Sequence, residues 1–171
     1  MFKNLKIGQR LGLTFGVLLA LLALLTGVSL LQMGRLADNA IYYAENLIPS
    51  YQVESDVALG ISDYRRYGYR HILANTDKEM DEYEAKMAEI RTNLDKAFNR
   101  YGKELVSDDE DKRNMEAARN ALVAYDAEWT KIRALSRQTV TDPSKTEAAT
   151  KAMNDATPVY TAAQAAVKTW W

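Results

Sequence analysis

From Leu11 through Gly34 the chain carries no charged side chain, and the run LGLTFGVLLALLALLTGVSLL within it is almost wholly apolar. As a helix rising 1.5 Å per residue, such a stretch crosses a bilayer core of about 30 Å. It exceeds the ~7–15 apolar residues of a signal-peptide core, and no A-x-A-like cleavage site follows it. The expectation is an uncleaved transmembrane helix over residues 11–34. Lys3, Lys6 and Arg10 precede it and no acid occurs before Asp38, so the positive-inside rule puts residues 1–10 in the cytoplasm and everything after Arg35 outside.

Four of the 22 cations lie at or before Arg35 and all 23 acids lie after it, so the external part carries about −5. That balance argues against a nucleic-acid partner. The absence of cysteine suits an oxidising compartment without disulfides, and rules out thiol catalysis and c-type haem attachment. Lys168, Trp170 and Trp171 at the end read as a helix entering a headgroup layer, which implies a second span beyond this chain.

The external part is built for helix. Only Gly60, Gly68 and Gly102 of the eight glycines lie beyond Gly34, and there are three prolines in all. A first helix continues from the span, with Pro49 kinking rather than ending it, because the periodicity resumes at Val53, Val57, Ile61 and Tyr64. Thr76 and Glu79 have capping-box spacing and open a second helix, with Met80, Tyr83, Met87, Ile90, Leu94, Phe98, Tyr101 and Leu105 on one face. Ser107 with Glu110 opens a third, carrying Met115, Ala118, Leu122, Tyr125, Trp129 and Ile132. Asp142 or Ser144, the latter boxed with Glu147, starts a fourth that is kinked or interrupted at Pro158 and runs on through Tyr160, Ala163 and Val167. Short connections between long helices predict an all-α, up-down-up-down antiparallel four-helix bundle continuing from the transmembrane helix.

The opening MFKNLKIGQRLGLTFG, the span, Leu47-Ile48-Pro49, and Asp63 with Arg66 late in the first helix resemble methyl-accepting chemotaxis receptors with a four-helix-bundle sensor. The resemblance implies a homodimeric periplasmic sensor of the bacterial inner membrane, spanning residues 35–171, that binds a small molecule and moves its last helix to signal. In the aspartate and serine receptors of that family, arginines on the first helix hold a ligand carboxylate at the dimer interface, and Arg66 and Arg70 are the matching positions. Coupling to a chemotaxis histidine kinase and its adaptor would belong to a cytoplasmic region that this chain does not include.

The residues themselves point the same way. SDYRRYGYRH, Ser62 to His71, holds three arginines, three tyrosines and the single histidine. Arg66 and Arg70 are four apart, so their like charges cost roughly 0.2–0.5 kcal/mol unless an anion lies between them. Guanidinium forks bind carboxylates bidentately, which suits organic acids or acidic amino acids. Tyr67 and Tyr64 supply hydroxyls and an apolar wall, although Tyr64 falls on the Val57–Ile61 line and so also reads as core. His71 lies at the same level, where a satisfied or exposed ring competes with a ligand role. The plainer alternative pairs Asp63 with Arg66 and leaves Arg65 and Arg70 facing water.

Arg133 falls near the inward face of the third helix and needs an anion, either a fixed one such as Glu79 or a bound one. Arg137 is one turn further out. Two pockets are therefore open, one between subunits at Arg66 and Arg70 and one inside the bundle tip at Arg133. One histidine and no cysteine give no metal or cofactor motif, and no catalytic constellation is present, so the expectation is a non-enzyme without cofactors. A sensor for a histidine kinase or nucleotide cyclase, or a ligand-free anchored helical interaction protein, are the alternatives.

Overall fold

The computed structural model describes residues 6–170, and all its regular elements are helical. Lys3 and Trp171, and with them part of the expected cytoplasmic flank and of the terminal tryptophan pair, lie outside the described residues. The chain divides into two compact units, one ending at Glu45 and the other beginning at Asn46.

The first unit holds α1, Ile7–Tyr42. It is long and apolar enough to cross a membrane, and none of its side chains is buried. Thr14 and Thr26 hide their hydroxyls by donating to the carbonyls of Arg10 and Leu22 one turn back. That local bond removes the need for water or a distant partner.

A π-helical turn, Tyr43–Leu47, precedes α2, Ile48–Ile72. Pro49 stands at the start of α2 and cannot donate an i→i−4 hydrogen bond. A widened turn just before it is a way for a helix to absorb that loss.

The second unit is the four-helix bundle, made of α2, α3 (Asp77–Glu104), α4 (Asp109–Ser136) and a fourth leg divided into α5 (Lys145–Asp155) and α6 (Thr157–Trp170). Cross-links at the two ends show the alternation. Asn46 before α2 donates to the Leu105 carbonyl after α3, while His71 at the end of α2 meets Glu84 near the start of α3. Likewise Asp111, opening α4, accepts from the indole of Trp170, which closes α6. The end of the bundle with His71 is called the tip below, and the end with Trp170 the base.

The apolar stripes expected for α3 and α4 are the ones buried. Met80, Met87, Leu94, Phe98 and Tyr101 face in from α3, and Met115 through Ile132 from α4. They form two adjoining clusters, one around Phe98 and Leu122 and one around Tyr125 and Ile132. Gly68 on α2 lets the fourth leg and α4 approach, since a Cβ there would stand 2.5 Å from the Met153 Cε and 3.1 Å from the Trp129 ring.

All three expected caps differ in detail. Thr76 accepts from the Glu79 N–H as predicted, but the Glu79 carboxylate reaches back to the Asn75 N–H. For α4 the cap is Asp108 rather than Ser107, because its carboxylate takes the N–H groups of both Glu110 and Asp111 at 2.8 Å. Asp111, not Glu110, completes the box by accepting from Ser107. Before α5, Asp142 accepts from the backbone and the hydroxyl of Ser144, and no bond to Glu147 forms. The interruption of the fourth leg comes at Ala156, with Pro158 just inside α6 where its missing N–H costs nothing.

Trp170 departs furthest from expectation. It is buried, stacked on Phe98 at 5.6 Å and set edge-on to Tyr101 at 4.5 Å. Its indole N–H has a protein acceptor in Asp111, so it is a core residue of the base rather than a headgroup anchor. Replacing Phe98 by Ala removes both a fully buried ring and the surface under Trp170, and is expected to destabilise the bundle by about 3–5 kcal/mol, read as a lowered denaturation midpoint.

Candidate functional site

The arginines of Ser62–His71 separate onto different faces of α2. Arg65 is four residues after Ile61 and turns inward toward the fourth leg. Its guanidinium donates to the Thr157 hydroxyl at 2.8 Å, the Tyr69 hydroxyl at 3.1 Å and the Met153 carbonyl at 3.3 Å, and lies 4.4 Å from the centre of the Tyr160 ring. Among the described residues no carboxylate pairs with it. Aromatic faces and neutral oxygens stabilise the half-buried cation in place of an anion. The expectation that Arg65 faces water is corrected on this point.

Arg66 and Arg70 point outward, both exposed. Tyr67 stands between them, with the two guanidinium carbons 5.6 and 5.5 Å from its ring centre. This shared ring is how two like charges sit one turn apart. Asp63 pairs with Arg66 at 3.0 Å within the helix, a contact so exposed that its worth is small. Among the described residues, no ion pair forms at Arg70. Tyr67 also leans on Tyr83 of α3 at 6.1 Å. Tyr64 is buried on the other side of α2, edge-on to Tyr125 at 6.1 Å, so it packs the core. Its phenol is pushed upward in pKa by burial and by Asp126.

His71, Arg133 and Arg137 converge at the tip around Glu84. The ring of His71 is fully buried, with Nε2 2.9 Å from Glu84 Oε1 and Nδ1 2.8 Å from the Ser136 hydroxyl. Because the carboxylate can only accept, the neutral ring carries its proton on Nε2, and the Ser136 hydroxyl donates to Nδ1. Trp129 closes the site edge-on at 5.4 Å. Burial holds the His71 pKa below its usual value, although Glu84 works against this.

Arg137 bridges Glu84 Oε1 at 2.8 Å and Asp81 Oδ1 at 2.6 Å, with Asp77 at 3.7 Å. Arg133 is exposed rather than near the inward face as expected, and it reaches Glu84 Oε2 at 3.6 Å along the surface of the tip. Although burial pushes the Glu84 carboxyl upward, the bonds from Arg137 and His71 and the charge of Arg133 hold it below the ordinary carboxylate range. The fixed anion for Arg133 is thus Glu84, not Glu79, whose carboxylate is used in the cap of α3. A cleft of about 240 Å³ between α3 and α4 is lined by Glu84, Arg91, Asp126, Trp129 and Arg133 among others. Its charges are matched, since Arg91 Nε meets Asp126 Oδ2 at 2.6 Å.

The seven residues singled out from the sequence therefore fall into three places. Arg66, Arg70 and Tyr67 form an outward patch on α2, Tyr64 is core, and His71, Arg133 and Arg137 belong to an internally neutralised tip. Glu84, Ser136 and Arg65 were missed, yet each carries a signal. Glu84 is four residues after Met80 and three before Met87, Ser136 is four after Ile132, and Arg65 is four after Ile61, so all three lie on inward stripes.

The family described as a four helix bundle sensory module for signal transduction matches residues 4–170. No curated protein and no solved structure gives a significant match.

The folded state resists protonating His71, so its contribution to stability is fully present above the unfolded pKa of about 6.5 and is lost as pH falls below it. Thermal melts are expected to show a decline on acidification from about pH 6.5 that His71→Asn abolishes.

Proposed function

The chain belongs to the four-helix-bundle sensory modules of signal transduction, and on that premise we propose that it is the ligand-sensing part of a bacterial chemotaxis receptor that takes small carboxylates at Arg66 and Arg70. In this reading residues 11–34 anchor it in the inner membrane, residues 1–10 are cytoplasmic and residues 35–171 are periplasmic. The family is a signal-sensing module rather than a catalytic one, so the output is a change in packing and not a product.

The observation that carries the choice of site is the unequal supply of counter-charge. At the tip, Arg133 and Arg137 face three carboxylates. On α2, Arg66 and Arg70 have one exposed carboxylate between them. A ligand carboxylate adds charge-assisted hydrogen bonds at the second place, whereas at the first it must displace Glu84, Asp81 or Asp77. Tyr67 already holds both guanidinium groups against one ring, which lowers the ordering cost of binding. A patch on the outside of one bundle becomes a pocket when a second copy covers it, consistent with a homodimer whose subunits share the ligand.

Signal transfer follows from differential binding. A carboxylate that bridges two subunits stabilises the pairing of the α2 helices that brings the arginines together, and any coupled displacement of α6 passes toward the membrane. Calorimetric titration of the dimer with a panel of C4 to C6 acids is expected to find one that binds. Arg66→Ala with Arg70→Ala should weaken it by at least about tenfold, the scale of one lost charge-assisted bond. Arg133→Ala should lower the melting temperature and leave that affinity within about twofold. Retained binding in the α2 variant would reject the site.

A further inference from the structure

A second titratable cluster lies at the base, the end of the bundle opposite His71, Arg133 and Arg137. Glu54 of α2 is 4% exposed, three residues before Val57 and therefore on the buried stripe of that helix. The group facing it from α3 is the Tyr101 hydroxyl, which lies 3.5 Å from Glu54 Oε1 and 2.9 Å from Asp111 Oδ1 of α4. The same Asp111 Oδ1 accepts the indole N–H of Trp170 of α6 at 3.0 Å.

Tyr101 has one hydroxyl proton and two carboxylates to serve. The shorter bond takes it to Asp111, which is held in place by Ser107 and Trp170 as well. Glu54 is then left facing a phenol oxygen lone pair, in an apolar setting, with a second carboxylate beyond it. A protonated Glu54 can donate to that oxygen and complete a chain of hydrogen bonds from α2 to α6, whereas an ionised one cannot and leaves the buried Ser50 hydroxyl of the same helix as the donor on that side. Ionised, it places a buried like charge against Asp111.

We propose that Glu54, Tyr101, Asp111 and Trp170 form a proton-binding site at the base of the bundle, through which external pH sets the packing of α6 against α2. The ligand is the proton itself, and the assignment stands whether or not Arg66 and Arg70 take an acid. Burial, and after it the charge of Asp111, push the Glu54 carboxyl up to about 7, with the Tyr101 bond working against them. Tyr101 does not compete for the change, because burial and Asp111 push its phenol upward and keep it protonated. Asp111 and Tyr101 are the titratable groups that meet Glu54 from α4 and α3, and Trp170 meets the network from α6 without titrating.

α6 ends at this network, so a rearrangement of Trp170 is a movement at the end of the fourth leg. As Glu54 ionises, its carboxylate competes with Asp111 for the Tyr101 proton and repels Asp111, and Trp170, which is bonded to Asp111 and packed on Tyr101, moves with them. Proton release therefore loosens the base at alkaline pH, and proton uptake tightens it.

The test is the indole ¹H–¹⁵N signal of Trp170 in the full chain in detergent micelles, assigned by its loss in Trp170→Phe and followed from about pH 5 to pH 9. The expected result is a single titration with a midpoint near that of Glu54, absent in Glu54→Gln. In Asp111→Asn the midpoint is expected to move to lower pH, corresponding to proton affinity weakened about tenfold per unit. A raised carboxyl in the folded state makes stability fall as pH rises from the unfolded value of 4.5 toward the folded one, and level off beyond it. Melting temperatures of the wild type relative to Glu54→Gln should fall over that window, opposite in sign to the effect of His71. A Trp170 signal that does not titrate, or that titrates identically in Glu54→Gln, overturns the proposal. So does an unmoved midpoint in Asp111→Asn, which covers the case in which Glu54→Gln fails to fold.

Discussion

An amphipathic helix buries whatever falls on its inward stripe, and a charge buried that way must find a counter-charge, spread into aromatic and neutral partners, or be neutralised by a proton. This bundle uses all three solutions. Glu84 is surrounded by Arg137, Arg133 and His71, Arg65 is caged by tyrosines and neutral oxygens, and Glu54 faces a phenol and a second carboxylate. These three positions tie α2 to α3, α4 and the fourth leg in turn. Their partners also decide which polar groups are left for anything outside the chain.

At the tip the accounts are closed by the protein itself. Glu84 uses both oxygens, His71 uses both ring nitrogens, and Arg137 spans three acids of α3. A site so well satisfied holds the ends of α2, α3 and α4 together and gives a ligand little to gain. The outer face of α2 is the opposite case. There the charges are solvated and poorly matched, at little cost to the fold and with interaction energy still to be realised on binding. In the proposed reading, sensing falls to Arg66 and Arg70 on the outer face of α2, and stability at the tip to Arg133 and Arg137.

Periodicity made most of the fold legible. The stripes of α3 and α4 are the buried ones, and the breaks near Asn75 and Asp142 separate the helices as the punctuation implies. What it did not convey is register between helices. Choosing Glu84 over Glu79 as the partner of Arg133 needs the relative heights of α3 and α4, which no single helix encodes. Trp170 and Trp171 after Lys168 have the composition of a membrane-surface anchor, and only the neighbours Phe98, Tyr101 and Asp111 reveal a core role for Trp170. Arg65 is a different failure, because the i+4 relation to Ile61 was present and the charge type outweighed it. The patch of Arg66, Arg70 and Tyr67 was legible as chemistry, although the ring shared by the two guanidinium groups required coordinates.

The central proposal is that Arg66 and Arg70 of α2 meet the ligand, while Arg133 of α4 and Arg137 just after it hold the fold. It is tested most directly by the arginine side-chain ¹H–¹⁵N resonances of the full chain in micelles, each assigned by an Arg→Lys exchange, during titration with a binding carboxylate. The account predicts saturable shifts at Arg66 and Arg70, with Arg133 and Arg137 unmoved. Shifts confined to Arg133 and Arg137 would contradict it and move the ligand into the cleft between α3 and α4.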